Sequence, residues 1–240
     1  MDQSSLRRGM PTVYKKWNTN TAILSGDTMF VIAYQYVTES NPEILVDVLK
    51  VFNQTAKEVC EGQQFDMNFE DESNTNIEEY MEMIRLKTAV LIAAALKIGA
   101  IAARAPKDEW KKIYDFGILI GLAFQLRDDF LDAFGDVDVF GKPIGNDIIT
   151  NKKTYLFLKA YENADENIKK ELDKAFSLKG DKKVNKVLSL YEKLGVKMDT
   201  ENKITDLHDD AMSILNDIKI EENNKEELYL FLNQLIKREV

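Results

Sequence analysis

Apolar residues recur along most of this chain at three- and four-residue intervals, which is the period of an amphipathic helix. No segment alternates apolar and polar residues over a useful length, so the pattern does not indicate β-strands. The four prolines, at positions 11, 42, 106 and 143, stand where a helix could begin or where none is expected. The chain is therefore predicted to be all-α, with helices near 19–37, 42–62, 76–103, 107–134, 151–162, 165–176, 182–194, 198–219 and 224–237.

Two of the predicted helices differ from the others in their pattern. The segments 76–103 and 107–134 are apolar over most of their circumference, which predicts that other helices surround them. Asn76, with Glu79 three residues later, forms a predicted capping box at the start of the first. The helices after residue 155 are amphipathic and rich in Lys and Glu, so we expect them to form an outer layer.

Composition narrows the class of protein. With 240 residues, 45% of them hydrophobic, the chain can bury a sizeable core, and we expect one domain over 1–240. A net charge of −9 without a basic stripe argues against nucleic acid as a partner. Cys60 is the only cysteine, which excludes a disulfide framework and the usual zinc sites and fits a reducing cytoplasm.

The longest apolar run, 89–103, contains Lys97 and is shorter than the roughly 20 residues that a bilayer span requires. The sequence shows no signal peptide at Met1. We therefore expect a soluble, cytoplasmic protein without a transmembrane segment.

Three aspartates, Asp128, Asp129 and Asp132, follow directly on the apolar stretch FGILIGLAFQL. Asp128 and Asp132 stand one helical turn apart, with Gln125 a turn earlier, so their carboxylates repel unless a cation lies between them. Mg2+ is suited to this place, because it binds through one or two carboxylates together with substrate phosphates. The alternative is a chance pattern on a solvated face, since the chain has 41 acidic residues.

Cations that could meet those phosphates lie shortly after the aspartates. Lys142 stands in a Gly-Lys-Pro turn, and Lys152 follows Gly145 and Asp147. An acidic protein that binds diphosphates must concentrate its cations locally, and this segment does so.

Two further clusters carry candidate chemistry. Arg7 and Arg8, near Asp2, have the fork geometry for bidentate phosphate contacts, although adjacent arginines are also common as plain surface charge. Lys87 and Thr88 enter the most apolar predicted helix, where a lysine is costly unless an anion meets it or its side chain snorkels to solvent.

A third cluster lies at residues 61–66, where Glu61, Gly62 and two glutamines precede Asp66. This cluster is predicted to end the 42–62 helix and to lead into an acidic loop.

Taken together, the motifs resemble the trans-isoprenyl diphosphate synthases, the polyprenyl synthetase family. The resemblance covers the chain to about residue 153 and rests on seven motifs in series. It implies an isoprenoid-synthase-type helical bundle around a central cavity, usually a homodimer. The motifs are MDQSSLRRGMPT, LSGD, EGQQFDM, RLKTA, FQLRDDFLD, GKPIGNDI and NKKT.

The resemblance also implies a role for each matching residue. Asp128, Asp129 and Asp132 match the second Asp-rich motif, in which Asp128 binds Mg2+ and the other two bind metal or water, and Asp2 matches the last aspartate of the first motif. Arg7 would contact the allylic diphosphate and Arg8 the isopentenyl diphosphate. The implied ligands of the allylic diphosphate are Lys87, Lys142 and Lys152, and the groups that steady the cation are Thr88 and Gln125.

The implied reaction is head-to-tail condensation of isopentenyl diphosphate with an allylic prenyl diphosphate of geranyl, farnesyl, geranylgeranyl or longer chain. About three Mg2+ ions, with Mn2+ as a substitute, withdraw charge from the allylic diphosphate until its C–O bond breaks. The isopentenyl double bond attacks the carbocation, and a proton is lost. The absence of a Cys/His or Ser/His pair in the sequence agrees with a reaction that needs no protein nucleophile.

One departure from the family pattern concerns the first residues. Met1 falls inside the first Asp-rich motif, which in the family reads D-D-I-M-D, so the motif's first two aspartates are missing. We therefore expect an N-terminally truncated member that lacks its first helices and has weak or no activity by itself. Two alternatives are a non-catalytic partner subunit of a prenyl synthase and a terpene cyclase, whose second metal site has a different Asn/Ser/Glu pattern.

Overall fold

The computed structural model describes residues 5–7, 9–72, 75–135, 144–220 and 222–236. These residues are almost entirely helical, which confirms the all-α prediction. A short hairpin of β1 (Leu6–Arg7) and β2 (Met10–Pro11) precedes the helices. The helices are α1 (Val13–Lys16), α2 (Thr19–Thr38), α3 (Pro42–Asp71), α4 (Ile77–Ile84), α5 (Val90–Ala102), α6 (Lys107–Phe134), α7 (Asn146–Ile149), α8 (Tyr155–Asn163), α9 (Glu166–Phe176), α10 (Gly180–Lys193), α11 (Val196–Asp217) and α12 (Glu222–Ile236).

The chain forms two compact units, residues 1–53 and residues 54–240. In the first unit, Phe30 and Tyr34 of α2 pack with Phe52 of α3, and the Tyr34 hydroxyl donates a hydrogen bond to Asn53 Oδ1 at 2.6 Å. The single domain over 1–240 stays a prediction. No described helix is long and apolar enough to cross a membrane.

Helix α3 continues to Asp71, so the prediction that it ends near residue 62 is wrong. Gly62 lies within the helix, where it lets another backbone approach: a Cβ on Gly62 would lie 2.3 Å from the backbone nitrogen of Lys87. The cluster at residues 61–66 therefore does not end the helix, and the lack of a side chain on Gly62 serves packing instead.

The predicted 76–103 helix is divided by a π-turn, Arg85–Ala89, that joins α4 to α5. The start of α4 follows the prediction, because Asn76 and Glu79 form the reciprocal capping box. At the C-terminal end of the π-turn, the amide of Val90 donates to the carbonyl of Arg85, five residues earlier. The periodicity of the sequence does not show this extra residue in the turn.

Helix α6 packs on the π-turn and α5 through small residues. A Cβ on Gly117 would lie 2.4 Å from Ala93 Cα, and a Cβ on Gly121 would lie 2.5 Å from Ala89 Cα. The two backbones therefore approach along a line of glycines and alanines, a spacing that larger side chains would prevent. This contact fixes the position of α6 along its axis relative to the π-turn.

The helices after residue 154 confirm the predicted amphipathic layer, with ends that differ by a few residues. Helix α8 begins at Tyr155 rather than near 151, because the Thr154 side chain caps it. Leu172 of α9 and Val187 of α10 are both fully buried in one apolar cluster with Tyr191.

Candidate functional site

A chain of hydrogen bonds joins the π-turn to the last turns of α6. Thr88 Oγ1 donates to Gln125 Oε1 at 3.0 Å, and Gln125 Nε2 donates to Asp129 Oδ1 at 3.0 Å. The Tyr80 hydroxyl of α4 donates to the other Asp129 oxygen. Tyr80 and Asp129 are both buried, with 2% and 3% of their surface exposed. Motifs that lie far apart in the sequence therefore meet at one point.

Asp129 sits in surroundings that disfavour its charge. Burial raises the pKa of Asp129 to about 7, and the charge of Asp147 adds to this shift. Lys152 and the hydrogen bonds from Tyr80 and Gln125 act in the opposite direction. Its carboxylate would therefore be stabilised by any additional cation nearby.

A second group of contacts lies around Asp132, one turn further along α6. The amide of Asp147 donates to Asp132 Oδ2 at 3.0 Å, and Lys152 Nζ lies 3.7 Å from Asp147 Oδ1. Burial, followed by the charge of Asp147, raises the pKa of Asp132 to about 6. Gly145, at φ 80°, begins α7 and donates its amide to the Asp132 carbonyl, which folds this segment back onto α6.

The ammonium of Lys87 meets a carboxylate, as its position in an apolar helix requires. Lys87 Nζ lies 2.6 Å from Asp66 Oδ2, and both side chains are largely buried. Gly62, one turn before Asp66 on α3, leaves the room in which the π-turn approaches. The structure thus explains how this lysine is tolerated, while its role toward a diphosphate stays a prediction.

The structure brings most of the described site residues together around the end of α6. Asp128 is half-buried, one turn before Asp132 on the same helix. Arg7 lies in β1 of the first unit and is exposed. Asp2, Arg8 and Lys142 lie outside the described residues, so their predicted roles stay predictions.

The side-chain oxygens at the end of α6 are of the kind that the predicted magnesium site requires. Asp128 and Asp132 supply hard oxygen donors one turn apart, and burial, with the charge of Asp147, raises the pKa of Asp132, so a cation beside it would favour its charged form. Among the residues that the structure describes, no group of three His, Cys, Asp or Glu side chains is gathered to hold a metal. Two carboxylates completed by substrate phosphates are a usual arrangement for Mg2+ and need no such group.

Asp129 differs from its two neighbours. Each of its oxygens already accepts a hydrogen bond, from Tyr80 and from Gln125. Its place in the Asp-rich motif predicts a metal ligand, and this role stays a prediction. Tyr80 was not predicted as part of the site, although a tyrosine in an apolar helix, two turns before Lys87, needs a partner for its hydroxyl.

A surface cleft of about 600 Å³ opens elsewhere, between α4, α8 and α11. Leu122 and Tyr155 contribute to its floor, and the ion pairs Glu82–Arg85 and Lys159–Glu162 are part of its wall. None of the predicted metal or substrate ligands that the structure describes lines it. The cleft is therefore separate from the candidate site.

The sequence model of the family described as polyprenyl synthetase matches residues 1–194. A short-chain isoprenyl diphosphate synthase from Methanothermobacter thermautotrophicus is 40% identical over 196 residues, which are 81% of this chain and 60% of that protein. This chain therefore spans less than two thirds of the length of that relative.

Solved structures give the same result for the fold. A crystal structure of a geranylgeranyl pyrophosphate synthase matches 99% of this chain and 74% of its own, with a TM-score of 0.92 and 42% identity. A geranylgeranyl pyrophosphate synthase from Corynebacterium glutamicum, solved with isoprenyl diphosphate and magnesium, matches 98% of this chain and 72% of its own with a TM-score of 0.88 and 27% identity. The fold is that of the prenyl synthases.

Proposed function

Because the chain belongs to the polyprenyl synthetase family, we propose that it provides the second Asp-rich half of a prenyltransferase site. There it condenses isopentenyl diphosphate with an allylic prenyl diphosphate. The observation that carries this proposal is the meeting of four motifs at the end of α6: RLKTA through Thr88, FQLRDDFLD through Gln125 and Asp132, GKPIGNDI through Asp147, and NKKT through Lys152. The relative solved with isoprenyl diphosphate and magnesium supports the same class of ligands.

In the proposed reaction, each group acts on the diphosphate or on the carbon that it leaves. Lys152 and Lys87 hold the allylic diphosphate and stabilise the negative charge that grows on it as the C–O bond breaks. Asp128 and Asp132 would hold Mg2+, which supplies Lewis-acid withdrawal of charge from the diphosphate when bound. Lys142 and Arg8, outside the described residues, are proposed to bind the allylic and the isopentenyl diphosphate respectively, and about three ions per site are proposed.

The allylic carbon becomes cationic when the diphosphate leaves. The hydroxyl oxygen of Thr88 and the carbonyl oxygen of Gln125 are 3.0 Å apart, and both present negative dipole ends that would steady this cation. Leu126 and Phe130 are buried next to these groups on α6, and such apolar surroundings keep out the water that would quench the cation. No protein nucleophile takes part in the proposed reaction.

The proposal includes a homodimer in the cytoplasm. Helix α2 exposes many apolar side chains, among them Leu24, Met29 and Tyr36, each at least 65% exposed. An apolar surface of this kind is usually covered by another protein surface, and a second copy would cover it symmetrically. Light scattering of the purified chain tests this part, since a monomer at all concentrations would contradict it.

Activity is tested with the purified chain, Mg2+, radiolabelled isopentenyl diphosphate and farnesyl diphosphate. We expect a low yield of labelled prenyl product, which EDTA abolishes and which Asp128→Asn lowers about 100-fold. Asp210→Asn is the matched control, because Asp210 is an exposed aspartate on α11, away from the site. Product formation that is indifferent to EDTA and to Asp128→Asn would contradict the proposal.

If the chain forms no product by itself, the same substrates are tested after addition of an active prenyl synthase. Activity of the mixture above that of the added enzyme would then support a partner subunit. No gain in the mixture would refute a part in condensation altogether.

A further inference from the structure

The hydrogen-bond chain at the end of α6 has a direction. Thr88 donates to Gln125, Gln125 donates to Asp129, and Tyr80 donates to Asp129 from the opposite side. Both carboxyl oxygens of Asp129 accept in these contacts, so every donor in this set of hydrogen bonds points toward Asp129. Asp129, at the buried end, therefore sets the donor-to-acceptor direction of this whole series of hydrogen bonds.

This polarity decides which atoms remain available on the other side. The amide group of Gln125 must turn its NH2 toward Asp129, so its carbonyl oxygen faces Thr88. Thr88 donates its one hydroxyl proton to that carbonyl, so the lone pairs of its own oxygen remain available as acceptors. Because the NH2 group of Gln125 is turned toward Asp129 and the hydroxyl proton of Thr88 toward Gln125, oxygen atoms are left to face outward, and such negative dipole ends are what a developing cation requires.

We propose that Tyr80 is a positioning residue: its hydroxyl holds Asp129 in the orientation that fixes Gln125 and Thr88 as oxygen acceptors. The inference rests on the proposed function, since it supposes that Thr88 and Gln125 face a substrate. Tyr80 touches neither Thr88 nor any diphosphate ligand in the described contacts and acts through Asp129. Burial of Tyr80 on α4 and of Asp129 on α6 makes the contact a fixed point between two helices.

Packing alone would also account for a buried tyrosine, so the test must separate the hydroxyl from the ring. Tyr80→Phe keeps the ring and removes one donor to Asp129. The matched control is Tyr161→Phe, which removes a hydrogen bond of the same kind: the Tyr161 hydroxyl donates to Asp173 at 2.8 Å in the outer helices. Urea unfolding of both variants checks that each remains folded.

The first readout is kinetic. We expect Tyr80→Phe to lower kcat about tenfold with little change in the KM for the allylic diphosphate, because orientation is lost while the diphosphate contacts remain. Tyr161→Phe should stay within about twofold of the unmodified chain. An unchanged kcat in Tyr80→Phe, or an equal fall in the control, would overturn the inference.

The second readout asks whether Tyr80 acts through Gln125 and Thr88. In a background that carries both Gln125→Leu and Thr88→Val the two acceptors are already absent, so adding Tyr80→Phe should lower kcat by less than about twofold. A tyrosine that merely supports the fold would lower kcat by the same factor in both backgrounds. Additive effects would therefore contradict a positioning role.

The third readout does not need catalysis. Hydrogen exchange of the Gln125 side-chain amide, assigned by its loss in Gln125→Leu, reports the bond to Asp129 by NMR. We expect the exchange to be about tenfold faster in Tyr80→Phe than in the unmodified chain, and to be unchanged in Tyr161→Phe. Unchanged exchange counts against this inference, whereas absence of condensation by the unmodified chain counts against the proposed function, so the two failures are distinguishable.

Discussion

The contact of α6 with the π-turn and α5 differs from the contact between α9 and α10 in what lies between the helices. In the first, Gly117 and Gly121 bring backbone against backbone. In the second, side chains of ordinary size such as Leu172 and Val187 fill the space. Side chains can repack around a small change, but two touching backbones cannot, so the first contact holds positions far more narrowly.

The polar groups of the two regions differ in the same sense. Near α6 the polar side chains are buried and bonded to one another, as Tyr80 and Asp129 are. In the outer helices several of them form exposed pairs, such as Lys169 with Glu166 at 3.0 Å, although Lys183 of α10 is buried. Buried networks are expensive to disturb, while exposed pairs contribute little. We therefore expect mutations in the first region to have large effects and those in the second to have small ones.

The largest expected effect is on the pH dependence of stability without divalent metal. The pKa of Asp129 is raised in the folded protein to about 7, so between about pH 4 and pH 7 the folded state binds more protons than the unfolded state. The free energy of unfolding should then fall as pH rises through this window, by up to about 4 kcal/mol from this group.

Asp129→Asn should remove much of that fall in urea-unfolding curves collected across the window. Asp173→Asn serves as the control, because Asp173 also accepts from a tyrosine but lies at the surface. A difference between Asp129→Asn and the unmodified chain that does not change with pH would contradict the predicted shift.

The next effect concerns the line of glycines. Gly121→Ala should lower the free energy of unfolding by about 3 kcal/mol, because its Cβ would overlap Ala89 and force the helices apart. Gly99→Ala is the control: this helical glycine has open space around it, and alanine there should raise stability by up to about 1 kcal/mol. Equal effects at both positions would refute the backbone-contact argument.

A smaller effect, on rate rather than on stability, is expected at Lys152. Lys152→Ala should lower kcat about 30-fold, or about 2 kcal/mol of transition-state stabilisation, and leave stability nearly unchanged. Lys186→Ala, an exposed lysine on α10, should leave both unchanged. A purely KM-based loss in Lys152→Ala would mean that this lysine binds the ground state and the transition state equally.

The smallest effect is expected for the exposed pair in the outer layer. Lys169→Ala should change the free energy of unfolding by less than about 0.5 kcal/mol, since both partners are solvated. A loss above about 1 kcal/mol would mean that the outer helices depend on their polar pairs as the central ones do.

The sequence predicted the helices whose ends carry their own chemical signals. Helix α6 has the predicted bounds, with Pro106 before it and Gly135 after it, and the capping box at Asn76 was found correctly. The continuation of α3 through Gly62 was missed, because a helical glycine that makes room for a distant backbone has the same local pattern as one that ends a helix.

The candidate site was predictable in its residues but not in its connections. The aspartates after an apolar helix and the lysines near them are local patterns, and they led to Gln125 and Lys152. The bond from Tyr80 to Asp129 joins residues 49 positions apart, and no periodicity within either helix indicates it. The pairing of Lys87 with Asp66 is of the same kind, since only the folded chain sets α3 beside the π-turn.

The π-turn also has a consequence for the phase of the helix that it interrupts. One residue of an α-helix turns the chain by about 100°, so the extra residue in the turn rotates everything after it by that angle relative to α4. Deleting a single residue there would restore a regular helix and yet direct Ala89 and Ala93 away from the glycines of α6. The register between Tyr80 on one side and Thr88 on the other thus depends on an irregularity one residue long.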